Sequence, residues 1–270
     1  MLVTESFVDI PTTVAQGPMR VYLFAPNLPQ YPDAKFPGVA VFTEIYQVTG
    51  PLERFCRQIA SQGYLVACNE SFHEFEGQGN PILYDAEGTD RGNKYKVEKK
   101  LEAYDEDATL TIDLLMGHKN CNGKIGVTGM CLGGHLAFRA AFDPRVQAAV
   151  CYFATDIHSH TLGAGKNDDS LERSKEIRGE LLMIFGKADT HVPREGRDLI
   201  RKTLDDNQIC FSWWEVQAQH AFIRDEMSKG RYDAALAKVC FDGLLELFHR
   251  RLYLDLGQPV GLAPKAEHVC

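Results

Sequence analysis

A glycine-flanked cysteine, Cys131 in Gly129-Met130-Cys131-Leu132-Gly133-Gly134, is the residue of this chain best placed for nucleophilic chemistry. The run that precedes it, Lys124-Ile-Gly-Val-Thr, reads as a strand, and the run that follows, Leu132 to Ala141, reads as a helix. The centre fits G-x-nucleophile-x-G, with cysteine where serine is commoner. The spacing has a steric cause, because a nucleophile on a strained strand-to-helix turn needs its near neighbours to lack side chains. At the helix N-terminus the thiolate is favoured by the helix dipole and free amides. The amide of Leu132 then points where a carbonyl oxygen would gather negative charge. Small-x-Cys-x-Gly also occurs in ordinary buried turns; here the strand before it and the helix after it favour a catalytic thiol.

Two further residues follow in the chain order of an α/β-hydrolase, nucleophile, acid, histidine. The apolar run Glu180–Phe185 ends in Gly186-Lys-Ala-Asp189, which puts Asp189 at the C-terminal end of a strand. It has a second reading as a turn or capping aspartate before Pro193. The run ICFSWWEV is followed by His220, on a loop where a general base is expected. His191 competes locally but lies beside the acid, so it is read as a rim residue. His158 and His160 with Asp156, and His73 with Glu70, Glu74 and Glu76, lack the ligand arrangement of a metal site. No metal or cofactor is expected.

The elements that must position these residues alternate along the chain. Strands are predicted at 19–25, 37–43, 64–68, 124–128, 146–153, 180–185 and 209–216, and helices at 51–62, 104–117, 132–142, 194–206 and 231–251. Near-continuous apolar strands separated by helices predict a single α/β domain over 1–270, a mostly parallel, doubly wound sheet with helices on both faces. The stretch 69–100 is polar and Gly-dotted and reads as an excursion bordering the active site. Its Lys94, Lys96, Lys99 and Lys100 read as a solvated helix face. The tail 257–270 reads as flexible. A formal charge of −8 argues against nucleic acid or anionic membrane as a partner. The eight cysteines form no CxxC pair, and the N-terminus has no secretory pattern, so a reduced cytoplasmic protein is expected. The sequence is silent on oligomeric state.

Four motifs in order, Glu44-Ile45, GxCxGG around Cys131, GxxDxxVP around Asp189 and HxFxR from His220 to Arg224, resemble the dienelactone hydrolase (carboxymethylenebutenolidase) family. The resemblance runs from about Gly17 to about Leu252. It implies that Glu44 modulates the resting thiol, that the Ile45 amide is a second oxyanion-hole donor, and that Arg224 pairs with the glutamate and helps bind a substrate carboxylate. One departure stands out. Where the family's dienelactone enzymes carry a second substrate-binding arginine after the strand at 64–68, this chain has Glu70-Ser-Phe-His-Glu74, with Arg91 as the candidate replacement. The expected function is hydrolysis of a small-molecule ester or lactone by a Cys-His-Asp triad through a thioester acyl-enzyme. The alternative is a non-catalytic relative that binds or senses a small molecule in the same pocket.

Overall fold

A computed structural model describes residues 1–254 of the chain; the expectation for the tail at 257–270 lies outside the described residues. Eight strands form one sheet: β1 Val3–Thr12, β2 Gly17–Pro26, β3 Phe36–Phe42, β4 Leu65–Asn69, β5 Cys121–Met130, β6 Val146–Tyr152, β7 Glu180–Gly186 and β8 Phe211–Val216. Their order across the sheet is β1-β2-β4-β3-β5-β6-β7-β8. The six strands from β4 to β8 run parallel, and β2 and β1 are added antiparallel at one edge.

The central strands are apolar on both faces because both faces are covered. All seven residues of β3 are buried, with Ala40 packing on one side and Val39 and Val41 on the other. The first side is closed by helices α4 Leu101–Gly117, α5 Leu132–Ala140 and α7 Arg194–Asp206, through residues such as Ile112, Phe138 and Ile200. The second is closed by α1 Gly50–Ser61 and α8 Ala234–Phe248, through Phe55, Ile59, Leu244 and Phe248. This is the doubly wound α/β arrangement that alternating apolar runs and amphipathic helices predict, in the form of the α/β-hydrolase fold that the order of Cys131, Asp189 and His220 implies. Short helices α2 His73–Glu76, α3 Ala86–Glu98 and α6 Ser170–Arg173 complete the set. Among the described residues no helix is long and apolar enough to cross a membrane.

The structure departs from the sequence reading in three places. Strand β1 was not expected, because most of its residues are exposed and it is held by pairing with β2 from Val3↔Pro26 to Thr12↔Gly17 rather than by burial. The last helix begins later than 231, where Asp233 caps it by accepting from the Leu236 amide at 2.9 Å. The excursion contains α3, which has two glycines and no clear apolar stripe. It starts at the Asp85 cap, whose carboxylate accepts from Gly88 N at 2.7 Å.

The strand order also locates the crevice. β3 has β4 on one side and β5 on the other, so the connections leaving the C-terminal ends of β3 and β5 diverge. Glu44 and Ile45 follow β3, and Cys131 follows β5.

Candidate active site

Cys131 takes φ 58° and ψ −121°, a sparsely populated positive-φ conformation that costs a non-glycine residue about 1–3 kcal/mol. Its backbone is tied down to hold that conformation. The Cys131 amide donates to Tyr152 O at 3.0 Å, and its carbonyl accepts from Gly134 N at 3.1 Å and Thr155 N at 3.3 Å. The flanking glycines are required by contact. A Cβ on Gly129 would lie 2.3 Å from Gly133 O, and one on Gly133 would lie 2.1 Å from Phe42 O. Those approaches bring the end of β5, the start of α5 and the end of β3 together with no side chain between them.

Asp189 is buried just beyond β7, and His220 is buried on the loop after β8. The His220 Nδ1 lies 2.7 Å from Asp189 Oδ2, and the other oxygen of Asp189 accepts from the His191 amide at 2.8 Å. Burial works to raise the Asp189 pKa, but the hydrogen bond and charge of His220 outweigh it and hold the carboxyl below its usual range. His220 shows the opposite balance. Burial favours the neutral ring, yet the charge of Cys131, the Asp189 hydrogen bond and a hydrogen bond to the Cys131 thiol raise its pKa to about 10. The imidazole is packed edge-on by Phe153, with ring centroids 4.9 Å apart, and His191 lies 4.4 Å away on the rim. Asp189, His220 and Cys131 are therefore contiguous.

Among the described residues no backbone carbonyl accepts from the amide of Leu132 or Ile45. Glu44 is buried and accepts from Arg224 Nη1 at 3.1 Å and Tyr84 OH at 3.3 Å. The Arg224 guanidinium lies 4.4 Å from the Tyr84 ring centre and 5.6 Å from that of Tyr46. Burial would lower its pKa, but the Glu44 charge raises it further above the ordinary range. These groups line a cleft of about 180 Å³ that also holds Cys131 and His220. A roomier cavity of about 270 Å³ between α1 and α8 contains neither of those side chains, so side-chain chemistry rather than volume locates the site.

The excursion meets the cleft through Tyr84, Thr89, Asn93 and Lys96. α3 is clamped onto the segment that carries Glu44 and Ile45. A Cβ on Gly92 would lie 2.3 Å from Ile45 O, Ile82 N donates to Tyr46 O at 3.0 Å, and the hydroxyls of Tyr46 and Thr89 are 3.0 Å apart.

Two readings of this region need correction. Arg91 does not line the cleft; it points to Glu76, with Nε 3.0 Å from the carboxylate, because its position on α3 faces α2. The lysines are not uniformly solvated. Lys99 is fully buried between Glu74, at 2.9 Å, and Asp107, at 2.7 Å, while Lys96 reaches both oxygens of Asp156 at 2.9 Å. Their partners come from α2, α4 and the loop after β6, which periodicity within α3 cannot reveal. Glu74, at the family's arginine position, is thereby turned away from the cleft. Tyr84, Lys229 and Arg231 also line the cleft and carried no motif that would single them out.

The fold defines the class, an α/β-hydrolase, with Cys131 on the turn between β5 and α5. A profile of the dienelactone hydrolase family matches residues 19–252, and the chain belongs to that family of ester hydrolases. Over its whole length it is 54% identical to a Saccharomyces cerevisiae protein described as "Putative carboxymethylenebutenolidase", which it also covers completely. It is 25% identical to a Pseudomonas putida carboxymethylenebutenolidase over 72% of this chain and 78% of that protein. Among solved structures, a dienelactone hydrolase-like promiscuous phosphotriesterase from metagenomic libraries shares the fold. It has a TM-score of 0.73 at 16% identity, over 92% of this chain and 98% of that one.

Proposed function

We propose that the chain is a single-domain hydrolase that cleaves a small-molecule ester or lactone with Cys131 as nucleophile, His220 as general base and acid, and Asp189 as its orienter. The observation that carries this reading is the buried Asp189–His220 contact of 2.7 Å leading to a thiol held on a positive-φ elbow. A 2.7 Å carboxylate–imidazole bond fixes the tautomer that presents Nε2 to the thiol. The raised pKa of His220 favours the imidazolium at neutral pH, and a thiolate beside it is the activated nucleophile in this reading.

The thiolate attacks the acyl carbon and forms a C–S bond, while the carbonyl electron pair moves onto oxygen. The amides of Leu132 and Ile45 are the oxyanion donors in this reading. Collapse breaks the C–O bond to the leaving group, and His220 gives its proton to the departing alkoxide, leaving a thioester. Neutral His220 then takes a proton from water as the water attacks the thioester. The second tetrahedral intermediate expels the thiolate and releases the acid, restoring the ion pair. Glu44 is held by Arg224 and Tyr84 beside this sequence, which supports a role for it in setting the charge around the thiol.

Cys131→Ala tests the reading with p-nitrophenyl acetate. Turnover should vanish, and the wild type quenched early should carry an acetyl group on Cys131 by mass spectrometry. Undiminished turnover in the variant removes the proposal. A non-catalytic binder of the same fold has no observation in its favour, since it gives the buried Asp189–His220 pair no task.

A further inference from the structure

A second imidazole stands beside the one that serves as base. The rings of His191 and His220 lie 4.4 Å apart, centre to centre, tilted by 51°, and both residues line the cleft that holds Cys131. The other ring packed on His220, that of Phe153, carries no polar atom. His191 is anchored through its own backbone and through the residue that follows it. Its amide donates to Asp189 Oδ1 at 2.8 Å, while the other oxygen of that carboxylate meets His220 at 2.7 Å. The next residue, Val192, is fully buried, and its carbonyl accepts from Arg197 Nη1 at 2.8 Å. One carboxylate therefore sets the places of both imidazoles.

The chemistry of this second ring suits it to hold water. Partial burial and the charge of His220 keep the His191 pKa below its ordinary value; the charge of Asp189 opposes them, and those of Lys96 and Arg231 add to them. The ring is therefore neutral at pH 7, with one nitrogen donating and the other free to accept. Its backbone amide is hydrogen-bonded, but among the described residues neither nitrogen of the ring has a partner in the protein. The charged groups of the cleft cannot substitute for it as acceptors. Lys96, Lys229 and Arg231 are donors only, and the Glu44 carboxylate is held by Arg224 at 3.1 Å and Tyr84 at 3.3 Å.

We propose that His191 is a positioning residue for hydrolysis of the acyl-enzyme, holding the attacking water between its ring and that of His220. This rests on the reading of Cys131 as nucleophile. Two hydrogen bonds of about 2.9 Å from one water span up to roughly 5.8 Å between their acceptors, and rings centred 4.4 Å apart fall inside that span. The water gives one hydrogen bond to each imidazole and faces the thioester with its oxygen. As the new C–O bond forms, the carbonyl pair moves onto oxygen and the proton facing His220 is transferred to it. Collapse breaks the C–S bond and returns the thiolate, and the second hydrogen of the water leaves on the acid. His191 accepts a hydrogen bond throughout and neither gains nor loses a proton. Acylation consumes no water, so the contact serves only the second half of the reaction.

The test follows acetylation of Cys131 by p-nitrophenyl acetate, and decay of the acetyl thioester once the ester is removed, by rapid quench and mass spectrometry at pH 7. His191→Phe keeps a ring against His220 and removes both nitrogens. It should acquire the acetyl group at the wild-type rate and lose it roughly tenfold more slowly, the scale of one hydrogen bond. His191→Gln, whose amide oxygen accepts from the same water, should recover most of the decay rate. Three results overturn the role of His191 and leave Cys131 as nucleophile: a Phe variant that deacetylates at the wild-type rate, one whose acetylation slows as much as its deacetylation, or a Gln variant as slow as the Phe variant. Absence of any Cys131-dependent turnover overturns the hydrolase reading and the role of His191 with it.

Discussion

A methyl group at Gly92 should damage catalysis without touching the thiol, the base or the acid. An alanine Cβ there would sit 2.3 Å from Ile45 O, 3.0 Å from Ile45 Cβ and 3.2 Å from Ile45 C. Favourable carbon contacts lie near 3.5–4.0 Å, so α3 and the Ile45 segment must separate by about 1 Å. α3 and the segment that leads into it resist through the Tyr46–Thr89 contact and Ile82 N on Tyr46 O, so part of the displacement falls on Ile45 and is passed to the peptide unit before it. In the proposed mechanism that preceding unit carries the Ile45 N–H that serves as an oxyanion donor. Removing such a donor costs about 2.7–4 kcal/mol, or 10²–10³ in kcat. A displaced donor should lose part of that, so Gly92→Ala is expected to lower kcat on p-nitrophenyl acetate by roughly 30- to 300-fold with little change in KM. Stability should suffer less. Overpacking costs about 1–3 kcal/mol, and alanine in a helix interior recovers roughly 0.5–1 kcal/mol relative to glycine. The net is within the total stability of about 5–15 kcal/mol expected of a domain, so the variant should fold. Alkylation of Cys131 by iodoacetamide should proceed at the wild-type rate, because the Cys131–His220 pair is not displaced. A folded Gly92→Ala enzyme with wild-type kcat would refute the clamping of the oxyanion segment by α3.

Asp189→Asn keeps the shape of the acid but no longer favours the imidazolium or the required tautomer, so kcat should fall by about 10³–10⁴-fold, the scale seen when serine triads lose this charge; a loss below tenfold removes Asp189 from its role. Glu44→Gln leaves the buried Arg224 without its counter-charge and should cost about 3 kcal/mol, read as a lowered midpoint in urea; an unchanged midpoint shows that the tyrosine faces suffice to hold the cation. The His220 proton gives a pH signature. Its folded pKa of about 10 lies above the ordinary value of 6.5, so the associated stabilisation is fully present below about 6.5 and is lost as pH rises through about 10. Urea midpoints of the wild type should drop between about pH 6.5 and pH 10, and those of Cys131→Ala should drop less, since the thiolate charge supports that proton; equal drops would show that the thiolate does not.

The amino-acid sequence by itself carries the elbow, the order of Cys131, Asp189 and His220, and the parallel core. These depend on local patterns: glycines beside a strained turn, apolar runs such as β3, and polar residues set just past strand ends. Glu44 and Arg224 were legible only through resemblance, because their ion pair joins residues 180 positions apart. Strand β1 escaped because edge pairing requires little burial, and α3 escaped because its glycines serve contact with Ile45 rather than helix propensity. The lysines between positions 94 and 100 show the limit most clearly. Lys96 and Lys99 look alike in sequence to Lys94 and Lys100, yet Lys99 is buried between carboxylates from α2 and α4, while Lys94 and Lys100 face solvent. Likewise Arg91 and Arg231 are both isolated arginines in polar stretches, and only the folded chain puts one against Glu76 and the other in the cleft. A charge's role is set by what lies within a few ångströms of it, and those neighbours come from segments that meet only when the sheet and its connections have formed.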